Sequence, residues 1–134
     1  MAESGDEKRG AGGIRRLVDA FGYSIAGIRH ALRHEASIRQ EIVLLAILAP
    51  VSAFLPVSRI EHLLLVLTML VVGLVEFINS AIESAVDRIS LEHHPLAGRA
   101  KDLGSAAVLV SLAMWAMTWA VIVGPIALQF LRRP

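Results

Sequence analysis

An all-α membrane protein, with three transmembrane helices and an N-terminal amphipathic surface helix, is the fold class this sequence predicts. Three observations carry it. Hydrophobic residues make up 55% of the chain, aromatic ones only 5%, and mean hydropathy is +0.62, more apolar than a water-soluble domain of this length. The apolar residues are massed in long runs rather than interrupted periodically. Ahead of those runs lies a shorter segment whose apolar residues recur at helical spacing.

The chain opens on MAESGDEKRGAG, which is polar, has no apolar core of a secretory signal and reads as a disordered tail over residues 1–13. Residues 14–134 read as one integral membrane domain. Ile14, Leu17, Val18, Phe21, Ile25, Ile28 and Leu32 form one apolar helix face, with Arg15, Arg16, Asp19, Arg29, His30 and Arg33 mostly opposite. Such a helix lies in the interface plane, its arginines near anionic headgroups. The first spanning run starts near Glu41 and reaches about Pro56. Its apolar core is short for the ~20 residues a bilayer needs, so the helix extends back to Ser37, and Pro50 is expected to kink it. In PVSRIEH, Ser58 and Glu61 have the spacing of a capping box, which starts a second span from about Arg59 to Ile89. A polar connection, LEHHPLAGRAKD, leads to a third span over 103–128. Gly104, Ser105, Ala106 and Ala107 there let a neighbouring helix approach closely. Trp115 and Trp119 read as lipid-facing or packing anchors, and the five histidines, His93 and His94 among them, as ordinary solvated residues.

Seven of the 13 Lys and Arg residues precede the first span, and Arg88, Arg99 and Lys101 flank the second connection, against Arg59, Arg132 and Arg133 on the other side. Ten against three favours a cytoplasmic N-terminus and second connection. The absence of cysteine excludes disulfides, thiolate nucleophiles and Cys-based zinc sites. Chemistry must come from carboxylates, amides, Lys, Arg and His.

The second span ends in VEFINSAIESAVDRIS, residues 75–90. At about 100° per residue, Glu76, Asn79, Ser80, Glu83 and Asp87 fall within roughly a 100° arc, so the acids share one face, which must meet protein or a wet cavity rather than lipid. Counted from His62, Glu76 lies about 21 Å and Glu83 about 32 Å along the helix. Glu76 thus sits in the cytoplasmic half of a ~30 Å hydrocarbon layer and Glu83 near its edge. A carboxylate at such depth costs on the order of 2.5 to 3.5 kcal/mol, which argues for use. The alternative is a packing and salt-bridge seam in which the acids meet Arg39, Arg88, Arg99 or Lys101 between helices, and for Asp87 and Arg88, nearer water and able to be ordinary end-of-helix charges, the two readings stand level. Carboxylates suit Mg²⁺ with phosphate oxygens, and a membrane acid can serve as base to a lipid hydroxyl. No Walker pattern, kinase glycine loop or H-E-x-x-H is present. From the residues alone, an enzyme with an intramembrane carboxylate site and an ion or proton path along the acidic face both remain open.

VEFINSAIESAVDRIS, together with GRAKDLGSAAVL and HEASIRQE, closely resembles the small prokaryotic diacylglycerol kinase family over about Arg16 to Trp119. The resemblance implies a homotrimer of three-span subunits in the bacterial inner membrane, with sites shared between subunits. It implies transfer of the ATP γ-phosphoryl group to the primary hydroxyl of diacylglycerol, giving phosphatidic acid, and no nucleic-acid partner. Relatives that phosphorylate undecaprenol instead are the alternative within the family. By the same resemblance Glu76 is the general base and Asn79 positions the reacting groups. Glu35 and Glu83 hold Mg²⁺ on the ATP phosphates, Lys101 and Asp102 contact the nucleotide, and Arg16 and Gln40 match positions around substrate and nucleotide. FGYSIAGIRHALRHE departs from relatives that carry aromatics in the surface helix, which bears on lipid entry and acceptor choice.

Overall fold

The computed structural model describes residues 6–89 and 94–132, with side chains from Gly13 onward. Its four helices fall into two units, Met1–Glu35 and Ala36–Pro134. The first unit is α1, Asp6–His34, which begins ahead of the apolar stripe that starts at Ile14. Its last turn carries Arg33 and His34, favourable against the exposed carbonyls of a helix C-terminus, and the Glu35 amide closes it by donating to the Ala31 carbonyl at 2.8 Å.

The second unit holds three helices long and apolar enough to cross a membrane: α2, Ala36–Ala53; α3, Arg59–Ile89; and α4, Pro95–Leu131. Helix α2 continues through Pro50 and stops at Ala53, short of the expected Pro56. The physical reason is Pro56 itself, which disfavours helical backbone at the residue before it. The chain leaves the helix through tight turns, Phe54 donating to the Val51 carbonyl and Leu55 to that of Ser52, both at 3.1 Å. Helix α3 then starts where the capping box places it. The Ser58 amide donates to the Glu61 carboxylate at 2.7 Å and the Glu61 amide to the Ser58 hydroxyl at 3.3 Å, the reciprocal pair that satisfies two otherwise orphaned donors.

Helix α4 starts earlier than its apolar run, so the end of the expected polar connection is helical. His94 is extended and its ring Nδ1 accepts from the Leu96 amide at 3.2 Å, with Pro95 in the first turn. Proline has no N–H to lose there, and a side chain that caps the amides above it fixes the start. His94 therefore has a structural task beyond a solvated loop residue; His93 lies outside the described residues.

Helix α3 is the central element, packing along α4 and, less extensively, on α2. Its contacts with α4 run in opposite directions along the two chains: Asp87 meets Lys101, Asn79 lies against Gly104, and Leu65 meets Trp119. The two helices therefore form an antiparallel pair. At 1.5 Å per residue α3 is about 46 Å long and α4 about 55 Å, well beyond a ~30 Å hydrocarbon layer. The surplus lets the end of α3 and the beginning of α4 reach water together. Leu65, Met69 and Val72 are buried on α3, and Gly104 and Ser111 on α4.

Trp119 anchors the far end of this pair, its indole N–H donating to the Leu65 carbonyl at 3.2 Å. Trp115, one turn earlier, has a buried indole N–H with no hydrogen-bond partner among the described residues. Trp119→Phe should therefore lower unfolding stability in mild detergent by about 0.5–1.5 kcal/mol, whereas Trp115→Phe, which deletes an unsatisfied donor and keeps an aromatic ring, should be neutral or slightly stabilising. Equal losses in denaturant titrations of the two variants would contradict this difference.

Candidate active site

Why α3 presents an acid–amide–acid series on one face follows from spacing: positions three and four apart are neighbours on a helix. Glu76, Asn79 and Glu83 are all half-buried. The Asn79 carboxamide nitrogen donates to the Glu83 carboxylate at 3.1 Å, joining the two lower members of the series. The other carboxamide atom, Oδ1, is buried and has no hydrogen-bond partner among the described residues. It rests against Gly104, in the space where a side chain on α4 would begin. The small-residue segment thus performs the close helix approach expected of it, at the amide of the acidic face.

One turn toward the end of α3, Asp87 forms an ion pair with Lys101 at 2.5 Å. The side chains retain 38% (Lys101) and 48% (Asp87) of their exposure, so screening holds the pair's stability contribution to about 1 kcal/mol or less. Its larger consequence is placement, because it holds the Lys101 ammonium beside the acidic face. Asp102, the next residue, is exposed. Gln40 lies on α2, where it lines an open groove with Arg39, Val43, Leu44 and Ile47. Arg16 and Glu35 belong to the first unit. The structure thus joins Asn79 to Glu83 and Asp87 to Lys101 in two direct contacts along the end of α3, with Glu76 on the same helix face.

Sequence reasoning missed Glu41, treating it only as the start of a span. On α2 its Oε2 is buried without a hydrogen-bond partner among the described residues and lies 3.7 Å from the position a Cβ on Gly73 would take. It also borders a cavity of about 30 Å³ with Leu44, Met69, Val72, Leu112 and Trp115, room for about one water. The signal was available: an acid at the head of an apolar run is subject to the same cost argument that singled out Glu76.

No cluster of three or more metal-ligating side chains occurs among the described residues. Chemically the carboxylates fit Mg²⁺, which needs only one or two protein carboxylates when phosphate oxygens and water complete an octahedron.

Comparison with known proteins places this geometry in context. The family model for prokaryotic diacylglycerol kinase matches residues 22–123. That interval includes Glu35, Gln40, Glu76, Asn79, Glu83, Lys101 and Asp102 and leaves out Arg16. The chain is 48% identical to a diacylglycerol kinase of Pseudomonas aeruginosa over 114 residues, covering 85% of this chain and 93% of that one. It is 44% identical to the diacylglycerol kinase of Escherichia coli strain K12 over 82% of this chain and 90% of that one. With the Haemophilus influenzae diacylglycerol kinase the identity is 40%, over 80% and 91% of the respective chains.

Proposed function

The chain belongs to the prokaryotic diacylglycerol kinase family, and we propose that the acidic face of α3 is where its phosphoryl transfer takes place. It is a membrane lipid kinase whose substrates are ATP and diacylglycerol. The observation that carries the site assignment is the polar series on α3, in which Asn79 bonds Glu83 one turn beyond Glu76, beside the Lys101 brought in by α4.

In this reading the Glu76 carboxylate takes the proton of the lipid primary hydroxyl as that oxygen attacks the γ-phosphorus. The new oxygen–phosphorus bond forms as the bond to the β,γ-bridging oxygen breaks. ADP leaves with the electron pair, and the lipid becomes phosphatidic acid. Glu76 suits this task by its expected depth, since a diacylglycerol hydroxyl lies just below the headgroups and the rise along α3 would put the acid in the cytoplasmic half of the hydrocarbon layer. Asn79 keeps its neutral amide between two carboxylates and fixes the rotamer of Glu83. Glu83 and Glu35 would hold Mg²⁺, which supplies charge neutralisation on the ATP phosphates when bound. Lys101 and Asp102, near the membrane edge on α4, meet the nucleotide from the aqueous side, and Gln40 and Arg16 border the substrates. The working form is a homotrimer in the bacterial inner membrane, with the N-terminus and the connection after α3 in the cytoplasm and each site shared between subunits. Residues 14–134 constitute its membrane kinase domain.

Membranes containing the protein should convert diacylglycerol to phosphatidic acid with labelled ATP and Mg²⁺. In that assay Glu76→Gln, which keeps shape and removes basicity, should lower turnover by about 10²-fold to 10⁴-fold while nucleotide still binds. Near-normal turnover would exclude Glu76 as the base.

A second expectation concerns the metal. Glu35→Gln and Glu83→Gln should each raise the Mg²⁺ concentration needed for half-maximal nucleotide binding and turnover before either changes the response to diacylglycerol, and Ca²⁺, with its looser coordination, should substitute poorly. Unchanged Mg²⁺ titrations with an altered lipid response would remove both residues from the metal site.

A further inference from the structure

Gly104 is buried where α4 crosses the acidic face of α3. A Cβ built there would overlap Asn79 Oδ1 and stand 3.3 Å from Asn79 Cγ, yet would keep an ordinary 3.9 Å from the Asn79 Cα. The conflict is thus with the carboxamide group rather than with the backbone of α3. That group is engaged on its other side, where Nδ2 donates to Glu83 at 3.1 Å. Oδ1 has no hydrogen-bond partner among the described residues; its neighbour is the Gly104 Cα, whose C–H is at most a weak donor. The Asn79 amide is therefore held by a bond at one end and by the absence of a side chain at the other.

We propose that Gly104 is a positioning residue for the reaction: the bare backbone of α4 gives the Asn79 carboxamide the space from which it bonds Glu83, and so sets the orientation of Glu83 toward MgATP. Gly104 touches no substrate; it acts through Asn79. This rests on the kinase reading above. A methyl group at Gly104 can be accommodated by swinging the carboxamide about its side-chain torsions, a cheap adjustment in packing terms, but that swing draws Nδ2 away from Glu83. The substitution accordingly separates stability from function, which a glycine needed only for helix packing would not do.

The test compares wild type, Gly104→Ala, Asn79→Ala, the double variant, and Gly124→Ala as a control, since a Cβ at Gly124 meets open space. The readouts are detergent unfolding, diacylglycerol KM, and Mg²⁺-dependent binding of a fluorescent ATP analogue. Gly104→Ala should unfold like wild type and keep its diacylglycerol KM, while the Mg²⁺ needed for analogue binding rises about 10- to 100-fold. In the Asn79→Ala background it should cause no additional shift, because the intermediary is gone. Gly124→Ala should match wild type throughout. Should Gly104→Ala fail to assemble, assembly of the double variant still supports the inference, because it locates the conflict at the Asn79 side chain. A wild-type Mg²⁺ response in Gly104→Ala, a further shift on top of Asn79→Ala, or failure of the double variant to assemble overturns it. Absence of any Mg²⁺-dependent nucleotide binding in the wild type would instead remove the kinase reading, and this inference with it.

Discussion

A polar side chain inside a hydrocarbon layer has to be covered by something that can approach closely and offer no competing bulk. In this protein that constraint is met where α4 crosses α3, with Gly104 against Asn79. Much of the unit follows from it. The approach is made by a segment of small residues at the start of the third span, where Gly104 leaves the Asn79 carboxamide its room. It fixes an antiparallel register that carries Lys101 to Asp87 at one end and Trp119 to the Leu65 carbonyl at the other. It also requires α4 to extend beyond its apolar run, because the crossing lies only nine residues from the helix start at Pro95. The hydrogen bond that the His94 ring accepts from the Leu96 amide caps the start of that extension.

In the proposed site the order of groups along α3 answers a second demand, that one site serve a lipid and a nucleotide. A lipid hydroxyl is reached within the membrane, whereas ATP arrives from water. A helix crossing the boundary can hold groups at both depths, separated by a rise of 1.5 Å per residue. Asn79 matters in this arrangement because it is neutral. An acid in its place would put like charges three and four residues apart, and these repel on a helix. The amide instead donates a hydrogen bond to Glu83, which turns a repulsive neighbour into a restraint.

Sequence made the central helix legible because several independent signals coincided there. The Ser58 and Glu61 pair marked its start, and α3 begins one residue later. Its polar residues fell on one face at a 3.6-residue period, and the Asn79–Glu83 bond joins two of them. Boundaries set by weaker signals shifted: Pro56 ended α2 early, and Pro95 with His94 began α4 before its apolar run. Periodicity names a face but not the helix that meets it. Lys101 was one of four basic residues the sequence offered to the acids, and the fold selects it for Asp87, whereas the seat of Asn79 on Gly104 and the approach of Glu41 to Gly73 had to be read from the fold. Likewise the two tryptophans were indistinguishable in sequence, although among the described residues Trp119 finds a carbonyl and Trp115 does not.

The same coverage argument bears on the proposed trimer. Within one chain, α2 supplies Glu41 over Gly73 and α4 supplies Gly104 over Asn79, so two neighbouring helices meet the flanks of the polar face. Glu76 and Glu83 nevertheless remain half-exposed, and the most apolar window of α3 is only 17% buried. Acyl chains are adequate cover for the leucines and valines on its outer side. They are poor cover for carboxylates, because they offer no hydrogen bonds and leave the charge undissolved. Water alone would cover the acids but would also flood the depth at which a lipid hydroxyl must be reached, and it competes with that hydroxyl for the phosphoryl group. In the proposed trimer a second copy of the chain would resolve the conflict, since a protein surface can supply polar partners, exclude water and leave a lateral opening to lipid. On this argument the proposed sharing of sites between subunits answers the demand of a charged site at a hydrocarbon boundary, where the described residues offer three helices able to span.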